Sequence, residues 1–149
     1  MTADRAVREV GQSTAAFTCT IERVKLIEFA QALHLGNPVY SDLAAAVEHG
    51  YRDVVACPGF INSLTLGLRE VKAATFGLAG VKAVAGEMRW ESRGVVCAGD
   101  RLSGRCVLAR MTEKAGRRPM DALEFETELV NQFGDKVLTV TETTLVFKD

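Results

Sequence analysis

The chain reads as an α+β domain in which an antiparallel sheet curves around one long helix, and three observations carry that reading. Helical spacing is confined to residues 22–75, whereas from Val84 onward the sequence alternates as strands do, broken by turns containing Gly, Asp and Asn. One stretch, Phe60 to about Thr75, is apolar enough to need burial. Only strands follow it, so a sheet must supply the cover.

In order, Ala15 to Ile21 (AAFTCTI) alternates and is rich in β-formers, predicting a first strand. Glu22 opens ERVKLIEFAQAL, where Val24, Ile27, Ala30 and Leu33 recur at a spacing of three and are expected on one buried helical face. His34 to Pro38 ends that helix, because the residue before a proline is pushed out of helical geometry. Ser41-Asp42 can cap a short helix, DLAAAVEHG, that stops at Gly50. YRDVVACPG is an extended connector, and Pro58-Gly59 introduces the long helix, with Ile61, Leu64, Leu68 and Val71 at spacings of three and four. Leu64 and Leu68 should be out of solvent.

The strands are VAGEMRWES, RLSGRCVLARMTE, MDALEFETELVNQ and KVLTVTETTLVFK, separated by Gly94 and Gly99-Asp100, by the basic turn KAGRRP, and by Gly134-Asp135. Neither face of the last strand is strongly charged, which predicts an interior place in the sheet. With 149 residues, 48% of them hydrophobic, the chain can bury one sizeable core and is expected to form one domain. It contains no internal repeat, linker or low-complexity segment.

Eighteen basic and 19 acidic residues leave a formal net charge of -1, without the electrostatic footprint of a nucleic-acid binder. Small molecules or proteins are the expected partners. The N-terminal stretch MTADRAVREVGQ carries Asp4, Arg5, Arg8 and Glu9 and no apolar run, so it reads as neither signal peptide nor anchor. No segment approaches the roughly 20 apolar residues that span a bilayer. Cys19, Cys57, Cys97 and Cys106 lie far apart with no C-x-x-C and only two histidines beside them. That pattern predicts no metal site and suits reduced thiols in a cytoplasmic protein.

The segment Phe29 to Phe60 contains Leu35-Gly36-Asn37-Pro38-Val39-Tyr40. It resembles the MaoC-type hydratase/dehydratase family, whose active members carry Gly-Asp-x-Asn-Pro-x-His. Asn37-Pro38 is kept, but Leu35 stands at the Asp position and Tyr40 at the His position. The resemblance spans nearly the whole chain and takes in Trp90, Gly99-Asp100, Lys114 to Arg118 and Asn131 to Gly134. It implies the hot-dog fold, an antiparallel sheet wrapped around a central helix. It further implies hydration of a 2-enoyl thioester or dehydration of a 3-hydroxyacyl thioester, carried on coenzyme A or an acyl carrier protein, with no cofactor.

General acid-base work needs a group that exchanges a proton near neutral pH. Leu35 has none, and a phenol such as Tyr40 is a poor base at that pH. His34 and Asp42 are the nearest substitutes, giving Tyr40, Asp42 and His34 as candidate catalytic residues. Against this, an imidazole at a helix end commonly bonds a carbonyl, and Asp42 is well placed as an N-cap. His49, beside the Gly50 stop, is weaker.

Asn37, Pro38, Cys57 and Gly59 are the candidate substrate-binding residues. Asn37-Pro38 would fix the loop, and a Gly59 amide at a helix N-terminus could polarise a thioester carbonyl, although a Pro-Gly turn leading into the helix explains it equally. Cys57 without a histidine reads better as a packed thiol than as a nucleophile. Lys114, Arg117 and Arg118 could meet phosphates, but a solvated hairpin tip accounts for them. Trp90 is expected in the core or at a dimer interface.

Some family members that lack the Asp and His pair with a competent subunit and shape its acyl tunnel. NPVYSDLAAAVEHGYRDVVA resembles such non-catalytic halves. Three functions are therefore open: the non-catalytic subunit of a hydratase or dehydratase, as a homodimer or a heterodimer with a catalytic hot-dog subunit; a stand-alone dehydratase or lyase of a secondary, polyketide-type pathway with a rearranged site; or a binding module for an acyl thioester or acyl carrier protein.

Overall fold

The computed structural model describes residues 8–148, apart from the side chains of Asn62, Thr65 and Leu66 and the surroundings of Gly67. Asp4 and Arg5 of the charged N-terminal stretch lie outside the described residues. The elements follow as β1 (Phe17–Thr20), α1 (Arg23–Ala32), a 3-10 turn (Pro38–Tyr40), α2 (Leu43–Glu48), α3 (Phe60–Thr75), β2 (Ala83–Ser92), β3 (Arg101–Lys114), β4 (Met120–Val130) and β5 (Lys136–Phe147).

The five strands form one sheet in the order β1-β3-β4-β5-β2. Every neighbouring pair is antiparallel. The last three strands are a simple meander, and β5 sits between β4 and β2, the interior place its uncharged faces predict. Alternation in β4 decides which face is covered: Leu123, Phe125, Thr127 and Leu129 are buried, whereas Glu124, Glu126 and Glu128 point the other way.

The long helix lies on that buried face. At one end Phe60 joins Ile21, Leu26, Leu102 and Leu129 in a core cluster, with Leu64 packed against it. At the other end Leu68 joins Leu108, Leu123, Phe125 and Phe76, whose ring centroid is 4.9 Å from that of Phe125. Each such fully buried side chain is worth about 1.5–3 kcal/mol of transfer free energy. The antiparallel sheet predicted for the second half of the chain is therefore present, with α3 packed on one face of it through Phe60 and Leu68.

Gly104 shows how closely the strands are layered. A Cβ there would lie 2.5 Å from the Glu128 carbonyl oxygen and 2.8 Å from Leu129 Cδ2, so no larger residue fits without backbone movement.

Two expectations are corrected and a third is narrowed. In α1 the buried residues are Leu26 and Ala30, four apart, while Val24 and Leu33 are exposed. A run of three-residue steps drifts around a helix with 3.6 residues per turn, so Val24 and Leu33 end on opposite sides. The first strand is four residues, shorter than Ala15 to Ile21. Of the two places expected for Trp90, the core or a dimer interface, the core is excluded: β2 is an edge strand, and all ten of its residues are exposed.

Candidate functional site

The candidate residues from His34 to Asp42 lie almost entirely at helix ends and turns. Helix α1 finishes in a Schellman turn: the His34 N–H donates to the Gln31 carbonyl at 2.9 Å and the Leu35 N–H to the Ala30 carbonyl at 3.0 Å. His34 occupies the left-handed position of that turn at φ 53°, where glycine is usual, and Leu35 follows it with 37% of its surface exposed. The Asn37 side-chain oxygen accepts from the Val39 N–H at 3.2 Å, and Pro38 opens the 3-10 turn. Tyr40 then packs, half-buried, against Val39, Val55 and Cys97.

Asp42 caps α2, accepting from the Ala45 N–H at 2.8 Å, and His49 Nδ1 lies 2.8 Å from the Ala45 carbonyl oxygen. Tyr40, Asp42 and His34 thus follow one another along a string of caps and turns, with Asn37 and Pro38 between them. Cys57 is buried in the main core. Burial pushes its thiol above the ordinary 9.0, against the opposing pull of the Cys57 and Phe60 backbone amides. Gly59 caps α3 at φ 91°, a conformation that side-chain-bearing residues rarely adopt.

Two ion pairs tether the segment leading from α2 to α3, and neither is apparent from sequence spacing. Arg23 grips Asp53 with contacts of 2.8 and 2.5 Å. The fully buried Asp100 carboxylate accepts from Arg52 at 2.8 and 3.0 Å, from the Cys97 N–H at 2.9 Å and from Gln132 at 3.1 Å. Burial alone would raise the Asp100 carboxyl, but Arg52, the Cys97 amide and Gln132 overcome it and hold the group below its ordinary 3.8.

A cavity of about 480 Å³ opens between the C-terminal half of α3 and the β2–β5 side of the sheet. Lys72 and Glu142 meet inside it as an ion pair, and the Lys72 ammonium lies 4.0 Å from the centre of the Phe125 ring. Cys106 and Thr127 line the same space. Burial pushes the Lys72 ammonium below its ordinary 10.5, with the Cys106 sulfur pulling weakly the other way. Burial likewise pushes the Cys106 thiol up, opposed by Thr127 and Lys72.

Sequence reasoning overlooked this chamber although its signal was present. Lys72 falls four residues after Leu68 on the buried stripe of α3, and Glu142 shares the parity of Leu138, Val140 and Val146. Among the described residues no cluster of three or more His, Cys, Asp or Glu could hold a metal ion, and no helix is long and apolar enough to cross a membrane.

A five-stranded antiparallel sheet with α3 packed on one face is the architecture of hot-dog proteins of the MaoC-like dehydratase class. The chain belongs to the family described as the FAS1-like dehydratase domain region, whose model matches residues 8–140. It is 31% identical over 121 residues to a UPF0336 protein of Streptomyces coelicolor, covering 80% of this chain and 79% of that one. Among solved structures it superposes on the C-terminally truncated HadBC (3R-hydroxyacyl-ACP dehydratase) complex of Mycobacterium tuberculosis with a TM-score of 0.75 and 23% identity, covering 97% of this chain and 99% of that one. The MaoC-like dehydratase of Rhodospirillum rubrum gives a TM-score of 0.74 at 16% identity, with 95% and 94% covered.

Proposed function

We propose that this chain is one MaoC-like hot-dog domain that serves as the non-catalytic subunit of a cytoplasmic enoyl-thioester hydratase or 3-hydroxyacyl-thioester dehydratase. One observation carries the reading: in the segment that resembles the family's catalytic stretch, the Asn37 and Asp42 side chains are engaged by backbone N–H groups. Asp42 caps a helix, Asn37 caps a turn and His34 terminates α1, while Leu35 has no proton to give. The proton-transfer pair must then come from a second hot-dog subunit.

The open edge supports such a partner. Strand β2 presents ten residues along an unpaired sheet edge, with Val84, Met88 and Trp90 among the exposed apolar side chains. An edge of that length invites pairing with another strand. A partner strand laid against it would continue the sheet, and the likeness to a chain of a dehydratase complex favours a heterodimer over a homodimer.

Co-purification followed by assay of crotonyl-thioester hydration tests the proposal. The chain should recover a hot-dog protein with an intact Gly-Asp-x-Asn-Pro-x-His segment, and activity should depend on that protein. Full activity of the purified chain alone would overturn the subunit reading in favour of a rearranged site.

A further inference from the structure

The chamber between α3 and the β2–β5 side of the sheet is unusual for a space meant to take a hydrocarbon tail, because a charged pair lies inside it. Its volume of about 480 Å³ falls in the range of small-molecule sites. Leu68, Val140 and Met88 supply apolar wall, while Lys72, Glu142 and Thr127 supply polar surface. Lys72 has three donors; its contacts with Glu142 and the Phe125 ring leave donor capacity for a further acceptor.

The edge strand is shaped to fit this space. Ala85 pairs with Thr144 and Met88 with Glu142, so β2 carries one extra residue between them and both side chains fall on the chamber's face. Gly86 sits in that bulge, where a Cβ would come within 3.2 Å of the Thr143 carbonyl oxygen. The chamber thus opens beside the edge assigned above to the partner.

Distance along the helix separates the chamber from the α3 N-terminus. Lys72 is 13 residues beyond Gly59 (72 minus 59), or about 20 Å at the rise of an α-helix. A short acyl group cannot join the two, so a short acyl group whose end lies in the chamber has its thioester near the chamber mouth and not at Gly59.

We infer that the Lys72–Glu142 chamber selects acyl groups whose distal end carries a hydrogen-bond acceptor, a hydroxyl or a carboxylate, over plain alkyl ends. This rests on the thioester-binding role proposed above. An alkyl end placed there would separate the pair from any polar contact and gain only apolar surface. A polar end adds a charge-assisted bond to Lys72. Arg69, exposed at the chamber's wall, adds a second positive charge against the one carboxylate of Glu142.

Calorimetric titration of the purified chain with hexanoyl-, 6-hydroxyhexanoyl- and 5-carboxypentanoyl-pantetheine reads the selection directly. At least one polar probe should bind about tenfold more tightly than hexanoyl-pantetheine. That is far below the roughly 10⁴-fold an unpaired buried donor can impose, because Lys72 and Glu142 satisfy each other when the chamber is empty. Preference for the carboxylate would identify the excess positive charge as the selector, and preference for the hydroxyl would identify neutral hydrogen bonding; either supports the inference.

The Lys72→Met/Glu142→Leu double variant should lose that preference, since replacing both members of a buried pair leaves no orphan charge. As a check that does not require the variant to fold, the Lys72 Cε resonance of ¹³C-lysine-labelled wild type should shift with the preferred polar probe and not with hexanoyl-pantetheine. Equal binding of all three probes, a preference that survives in the folded double variant, or an unmoved Lys72 resonance would overturn the chamber assignment while leaving thioester binding intact. Failure of every probe to bind would overturn both.

Discussion

Replacing Asp100 with asparagine should destabilise the protein in a pH-dependent way whose size follows from its contacts. Both carboxylate oxygens accept, one from Gln132 and Arg52, the other from Arg52 and the Cys97 N–H. The amide introduced by Asp100→Asn keeps one acceptor and turns the other position into a donor facing N–H groups. At least one buried donor is then orphaned, costing about 1–3 kcal/mol. Loss of the Arg52 ion pair adds about 0–1 kcal/mol, discounted because half of the arginine side chain lies in solvent. Asp100→Asn should therefore lower stability by about 1–4 kcal/mol at pH 7, taking those terms together.

The sign of the pH effect is fixed by the depressed carboxyl. A folded-state value below 3.8 means that the charged side chain contributes its full stability above that pH, and that the contribution disappears as pH falls through the folded value. Urea unfolding of wild type and variant should show a constant gap from neutral pH to about pH 5, narrowing below about pH 4. Equal stabilities at pH 7, or a gap that stays open in acid, would refute the account. Because Arg52 lies in the segment leading to Cys57 and Gly59, the same variant should loosen the start of α3 first, as faster amide exchange there.

Other outcomes follow from single positions. His34→Gly should raise stability by about 0.5–1 kcal/mol in thermal unfolding, since relief of a left-handed residue exceeds the entropy glycine adds. If His34 were the displaced base, that variant would instead destroy whatever activity the chain has. Gly104→Ala should cost about 1–3 kcal/mol by overpacking against Glu128 and Leu129, measured by urea unfolding. Without a partner, hydration of enoyl thioesters in a coupled assay should be slower than in active relatives by the roughly hundred- to ten-thousandfold that acid-base catalysis supplies. Val84→Lys/Trp90→Lys should abolish association on a sizing column while leaving circular dichroism unchanged, because both side chains are already exposed on the β2 edge.

Much of the architecture was legible because it depends on periods and punctuation. Pro58-Gly59 marks the start of α3, Asp42 and Gly50 bracket α2, and the Gly-Asp turns separate the strands. The buried side of α1 was not legible: two adjacent apolar spacings compete there, and only contact with Ile21 and Val54 in the core selects Leu26. The choice between core and interface for Trp90 was equally hidden, since strand order is set by pairings between distant segments. At the candidate site Leu35 and Tyr40, which stand where the resemblance to active members expects Asp and His, could be read directly. The Asp100 node and the Lys72–Glu142 pair required three-dimensional proximity across 48 and 70 residues, which charge patterning along the chain does not encode.

The strand order β1-β3-β4-β5-β2 also governs what happens during synthesis. Both outer strands and the apolar helix are translated first, and the meander that receives them comes last. At about 5–20 residues per second, the interval from Thr75 to Phe147 lasts roughly 4–14 seconds. Throughout it α3 has no sheet to lie in, and β2 has lost neither its apolar surface nor its open edge. The ribosome-bound chain is thus the species with the greatest need of a chaperone, and a β2 already engaged by a partner would enter the fold with one of its two edges satisfied.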